Sequence, residues 1–333
     1  MNRPVGRAIN VMADGKWISG LNADTPLVEA ARHALFVRLQ VVRDYLPRAV
    51  AEADRDPEHV HQLRVGTRRA DAALRLFRVC LPSRTYRAAR RTLRRIRRAA
   101  GAARDWDVFL LDLKARVSER PAADRPGLDF LLGYALGQRT AAQAALEAVG
   151  SDRGVPFEEF RTDVVAAVRP PEGPALPTLL DLARPLLTGL RAMLEHLASG
   201  DLSDYAHLHQ VRIAGKRLRY AMEVFADCFD PPFKEVVYPK IEEMQEILGR
   251  ANDSHVAEGR LTAVRERLRQ FWPQEWERLK KGVESLRRFH HRRLPQEREH
   301  FLAWWDAWRQ DGSEALLTLL LPPVAVTNQK PDA

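Results

Sequence analysis

A chain of 333 residues with 45% hydrophobic and 29% charged side chains has enough apolar content to bury a core, which excludes a disordered basic tail. Its formal charge of +9 and pI near 9.9 point to an anionic partner and leave nucleic acid, acidic lipid and polyphosphate open. Two cysteines make neither a disulfide framework nor a zinc site, and no stretch approaches about 18 uninterrupted apolar residues.

Periodicity and breakers predict helices throughout, with no Val/Ile/Thr-rich alternating run to argue for a sheet. Residues 1–23 read as a charged, Gly-bearing leader without the apolar core of a signal peptide, so a cytoplasmic protein is expected. Helices are expected over Pro26–Asp54, Pro57–Val79 and Pro82–Ala102; Asp105 then caps a new helix to Glu119. Further helices follow over Gly127–Val149 and Pro156–Val168, and Arg169–Pro177, rich in proline, reads as a linker. Beyond it the scheme repeats, with helices near 178–199, 204–228, 232–250, 254–270, 274–291 and 296–310, and a flexible tail over 319–333. Cys80 and Cys228 read as small core residues, and Phe301, Trp304, Trp305 and Trp308 as a core face.

The chain is organised around His59–Phe77, HVHQLRVGTRRADAALRLF, which returns without a gap 148 residues later at His207–Phe225 as HLHQVRIAGKRLRYAMEVF. The offset pairs His61 with His209, Arg64 with Arg212, Arg68 with Lys216 and Arg69 with Arg217, and further on Gly101 with Gly249 and Asp105 with Asp253. This is an internal duplication of one helical unit.

At about 100° per residue, Arg64, Arg68 and Arg75 fall within about 60° of His61, with Arg69 about 80° away on the other side. Leu63, Ala70, Leu74 and Phe77 fill the opposite half. The second copy carries the same stripe as His209, Arg212, Lys216, Arg217 and Arg219. A solvated face would alternate acids with bases, whereas Arg64/Arg68 and Arg212/Lys216 are like-charge i, i+4 pairs that cost a few tenths of a kcal/mol unless an anion lies between them. His59 and His207 point about 160° away and read as structural. The bulk charge diverges between copies: fourteen Arg against one Asp over His59–Arg104, but seven Lys plus Arg against seven acids over His207–Asn252.

Outside the motif helices, Arg90, Arg94 and Arg97 lie on one flank of the third helix and Arg91, Arg95 and Arg98 on another, so not all of them can face one ligand, while Arg104 is placed inward. Asp105 with Asp107, and Asp253 with His255, read as helix caps rather than metal ligands. His290 and His291, among Arg287, Arg288, Arg292 and Arg293, read as a solvated helix end. No Gly-rich Lys loop, Gly-x-Ser-x-Gly or His-Glu-x-x-His motif is present, and no acid, base or nucleophile stands out for catalysis.

HQLRVGTRR and HQVRIAGKR, with AGAARDWDV downstream, resemble the CHAD family, whose motif helices read His-x-x-Arg-hydrophobic-x-x-Arg/Lys-Arg and whose second signature ends Arg-Asp-x-Asp-Val. The second copy departs at LGRANDSHV, with Asn252 and His255 in place of the signature Arg and Asp. The resemblance spans residues 24–318, repeat one over 24–170 and repeat two over 176–318. It implies an all-α fold of two pseudo-symmetric helical-bundle halves enclosing a basic central pore or groove. It further implies non-catalytic binding of inorganic polyphosphate, in the setting of polyphosphate granules, through His61, Arg64, Arg68, Arg69, Arg104, His209, Arg212, Lys216, Arg217 and Arg219. No cofactor and no metal are expected. The competing readings are a non-specific RNA-binding helical protein and an accessory module of a phosphate-processing enzyme.

Overall fold

The computed structural model describes residues 15–117, 121–150, 156–172 and 177–321. It is all-α: among the described residues there is no strand, only an isolated bridge between Pro26 and Thr178. Helices α1 (Leu27–Ala51), α2 (Glu58–Leu76), α3 (Ser83–Val117), α4 (Arg125–Gly150) and α5 (Phe157–Ala166) form the first half of the chain. Helices α6 (Leu179–Ala198), α7 (Tyr205–Phe225), α8 (Tyr238–Phe271), α9 (Pro273–Gln310) and α10 (Ser313–Leu320) form the second. No helix among the described residues is long and apolar enough to cross a membrane.

The two motif helices are α2 and α7. Each buries the apolar half expected of it: Leu63, Ala70 and Leu74 on α2, Val211, Leu218 and Met222 on α7. They pack on each other, and the repeat-equivalent rings of Phe77 and Phe225 meet edge to face, centroids 6.3 Å apart. Asp204 caps α7 by accepting from the backbone N–H groups of Ala206 and His207, at 3.0 and 3.3 Å. The entries to α1 and α6 are tied together, with Leu27 N–H donating to Pro177 O and Leu179 N–H to Thr25 O. Phe301, Trp304 and Trp308 are buried in the main core, as are both free cysteines, whose thiols burial pushes up to about 11 for Cys80 and about 12 for Cys228.

Three expected helix breaks do not exist. Helix α3 runs through Asp105, α8 through Asp253, and α9 through Pro295. An Asp starts a helix only where free N–H groups await a cap, and here Gly101 and Gly249 lie inside the helices and end neither. Pro295 removes one backbone donor, but α9 lies along α8 for much of its length and that packing carries the helix across. The continuous helices extend beyond the main core as a four-helix arm, where Phe109, Leu113, Leu131, Leu261, Val283 and Leu286 make a second apolar cluster. Within it α4 and α9 touch backbone to backbone: a Cβ on Gly127 would lie 2.3 Å from Leu279 O, and one on Gly282 2.2 Å from Asp124 O.

The ends also differ from expectation. Within the expected leader, residues 1–14 lie outside the described residues, but Ile18 and Leu21 are buried and Trp17 packs on Tyr238 at 4.6 Å between centroids. Of the expected tail, Leu319 and Leu320 complete α10 and Leu321 is buried; 322–333 lie outside the described residues.

Candidate functional site

Where α2 and α7 cross, the apolar halves face the core and the cationic stripes are left facing one cavity. Its volume is about 1020 Å³, and it is lined by Arg64 and Arg68 from α2, Arg97 and Arg98 from α3, and Arg212, Lys216 and Arg217 from α7. Among the described residues neither Arg68, Arg212 nor Lys216 has an ion-pair partner, and Nε of Arg212 is buried without a hydrogen bond. Arg64 is bridged to Asp105 at 2.9 Å, and Arg97 to Asp71 at 3.0 Å.

The electrostatics follow from that crowding. Burial, then the charges of Arg68, Arg212, Arg64 and Arg219, push the Lys216 ammonium down to about 5. Burial and neighbouring guanidinium groups likewise lower Arg68 and Arg212 from their ordinary range. His209, which also lines the cavity, is lowered by burial and by Arg212 and Lys216. Guanidinium groups crowded in this way can take up an anion, whose charge would offset theirs.

The predicted residues separate into those that meet and those that do not. Arg64, Arg68, His209, Arg212, Lys216 and Arg217 line the cavity. Arg69 instead donates to the buried carboxylate of Glu223, Nε to Oε2 at 2.8 Å, and Arg219 lies 3.8 Å from the same group. Glu223 also receives the Tyr238 hydroxyl at 2.9 Å and has Arg38 of α1 at 3.7 Å. His61 and Arg104 sit near one another, off the lining; burial, Arg104 and Arg64 lower the His61 imidazole. His59 and His207 are structural: His59 lies beside Tyr45 and Glu52, and His207 Nε2 is 2.7 Å from Leu197 O.

Sequence reasoning placed Arg75 on the stripe and Arg90 and Arg97 on one flank of the third helix, but missed the second carboxylate that positions them. Asp71 on α2 is buried and holds Arg75, Arg90 at 2.8 Å and Arg97 at 3.0 Å, all three on the cavity wall. Burial works to raise its pKa, but the Arg90 hydrogen bond and the charges of Arg75, Arg90 and Arg97 outweigh that and lower it. The signal available was the seven-residue spacing of Arg90 and Arg97, two helical turns on one face. Arg91, Arg94 and Arg95 are exposed.

A smaller chamber of about 350 Å³ adjoins the first and shares Arg64, Arg68, Asp105, His209 and Arg212 with it. Its far wall comes from the arm: Asp112 of α3, Arg250, Asp253, Ser254 and Arg260 of α8, His290 and Arg293 of α9. The expected cap Asp105 is therefore a bridge to Arg64, Asp107 pairs with Arg139 at 2.5 Å, and His255 stacks on Tyr205 at 3.5 Å between centroids. His290 is no solvated helix end; it is mid-helix and buried, while His291 is exposed and pairs with Glu258 at 2.8 Å. Among the described residues no group of His, Cys, Asp and Glu is arranged to hold a metal ion.

An all-helical chain that turns two His/Arg motif helices onto one cationic cavity defines a distinct class of helical domain. The CHAD domain model matches residues 33–262, and the chain belongs to that family. It is similar to the crystal structure of the CHAD domain from the plant Ricinus communis, with TM-score 0.65 and 25% identity, over 88% of this chain and 96% of that one. It is also similar to PptA from Streptomyces chartreusis, with TM-score 0.62 over 85% of this chain and 100% of that one; at 20% identity this likeness concerns the fold alone. No curated protein sequence matches the chain.

Proposed function

We propose that this protein binds inorganic polyphosphate in the basic cavity between α2 and α7, as a non-catalytic binding or scaffold module that works at polyphosphate granules in the cytoplasm. The observation that carries the reading is the convergence of Arg68, Arg212 and Lys216, from both motif helices, with no ion-pair partner among the described residues. A linear phosphate chain presents closely spaced anionic oxygens, which guanidinium groups engage by forked, charge-assisted hydrogen bonds. The pseudo-symmetry of the two repeats gives such a chain a wall of cations on each side. RNA fits less well: the aromatic on this wall is Tyr220, which is buried and offers no face for base stacking.

The test is a titration with polyphosphates of graded length against RNA and ATP at equal phosphate concentration. Polyphosphate should bind most tightly, with affinity falling log-linearly as salt rises. Preference for RNA, or a flat salt dependence, would overturn the reading.

A further inference from the structure

The two chambers differ in what they offer an anion. On the larger wall the acid is Asp105, at the neck, while Asp71 lies off the lining and is surrounded by arginines. Beyond the neck the cations are committed. Arg250 and Arg293 both engage Glu297, at 2.9 and 3.1 Å. Arg260 donates to the Asp105 carbonyl oxygen at 2.7 Å and lies over the Trp106 ring at 4.2 Å. Asp112 is held by Arg116 at 2.8 Å, with His290 at 3.3 Å. The chamber therefore presents the carboxylates of Asp105, Asp112 and Asp253 beside its arginines, and the interior of a long polyanion is not favoured there.

The same chamber holds polar groups with no protein partner. Ser254 is 1% exposed and its Oγ makes no hydrogen bond; His290 is 3% exposed and its Nδ1 makes none; nor do Nδ1 of His209 and Nε of Arg212. Buried donors and acceptors left unpaired are costly, and these four belong to residues that line the same space of about 350 Å³, which suits a small polar group. That group must accept from Arg212 and His209 and also tolerate, or donate to, Asp105 and Asp253. An internal phosphate of a polyphosphate only accepts. A terminal phosphoryl group has one more oxygen, which ionises near neutrality and donates when protonated (about pH 6 for a phosphate monoester).

We propose that the smaller chamber is a subsite for a phosphoryl group with a free terminal oxygen, so that this protein holds a polyphosphate chain by its end. The inference rests on the polyphosphate reading, with the larger chamber taking the phosphates that follow the end. Orthophosphate offers the same chemistry without a chain, and the test separates the two sources.

The experiment measures how many protein molecules bind per chain, by sedimentation with polyphosphates of increasing length, free-ended or esterified at both terminal phosphates. End-holding predicts at most two proteins per chain at any length, and binding about tenfold weaker once the ends are blocked. Excess orthophosphate should abolish that difference, and Ser254→Ala, with unchanged helical circular dichroism, should reduce it. Proteins per chain rising in proportion to length, with blocked chains bound as tightly as free ones, overturns the end subsite and leaves polyphosphate binding intact. Orthophosphate binding saturably while end-blocking has no effect makes orthophosphate the ligand and overturns the chain-end assignment. No binding of any polyphosphate overturns the functional reading itself.

Discussion

Helices α2 and α7 carry one sequence pattern, yet they distribute charge in opposite ways. Asp71 and Arg75 of α2 correspond, 148 residues on, to Arg219 and Glu223 of α7: the same i, i+4 pair with its polarity reversed. On α2 the carboxylate draws Arg90 and Arg97 of α3 onto the cavity wall. On α7 it draws Arg38 and Arg69 into the interior, away from the cavity. A shared stripe thus fixes where cations lie, and the position of one acid decides which of them are free for a ligand.

The strongest way to break the comparison is to remove each carboxylate in turn. Glu223 is fully buried against Arg38, so Glu223→Gln leaves a guanidinium stranded in the core and should cost about 3 kcal/mol or more of unfolding free energy in a denaturant titration. Asp71→Asn should cost only about 1 kcal/mol, because Arg75, Arg90 and Arg97 are each at least a quarter exposed and can turn to water. Equal losses would mean that the two carboxylates do the same job.

Next in size is the effect on affinity. Lys216→Glu places a carboxylate among Arg68, Arg212 and the ligand, and polyphosphate binding should weaken about a hundredfold. Arg94→Glu, an equal change in net charge on the exposed side of α3, should stay within about threefold by the same titration. Comparable losses would reduce the site to bulk charge. Lys216 also imposes a pH signature on stability. Its ordinary value is 10.5 and the folded chain lowers it to about 5, so between those limits the unfolded chain holds a proton that the folded chain has shed. Stability from this group therefore rises with pH across that window, and Lys216→Met should raise the denaturation midpoint at neutral pH and flatten its slope.

The smallest expected difference lies between the two motif histidines. Burial and neighbouring cations lower both, and a bound phosphate favours imidazolium, so binding takes up protons and tightens as pH falls through the histidine range. His209 lines the cavity and His61 does not. In a Lys216→Met background, His209→Gln should flatten the pH dependence of binding by a few-fold, while His61→Gln leaves it nearly unchanged. The reverse result would move the ligand to the Arg104 side of α2.

Much of this was legible in the amino-acid order. Helical periodicity gave the apolar faces of α2 and α7, and the repeat singled out Arg64, Arg68, Arg212 and Lys216. The angle of a side chain on one helix carries no information about what the next helix brings, which is why Arg69 and Arg219 read as ligands before Glu223 came into view. The lengths of α3, α8 and α9 were hidden for a related reason. Asp105, Asp253 and Pro295 are local stop signals, and the packing that overrides them joins segments far apart in sequence. The smaller chamber depends on those long helices, so His290, Ser254 and Arg260 could not be assembled without them.

The backbone contact between Gly127 and Gly282 gives the arm a fixed fulcrum. Because α4 and α9 touch there without intervening side chains, the separation between α9 and the rest of the arm is set by main-chain geometry. His290 and Arg293 ride on α9 two to three turns beyond that point. Adding a single methyl group at either glycine acts like a shim under a lever. It leaves every ligand-facing residue in place chemically while displacing the far wall of the small chamber. The size of that chamber is therefore adjustable from a distance, without changing a residue that lines it.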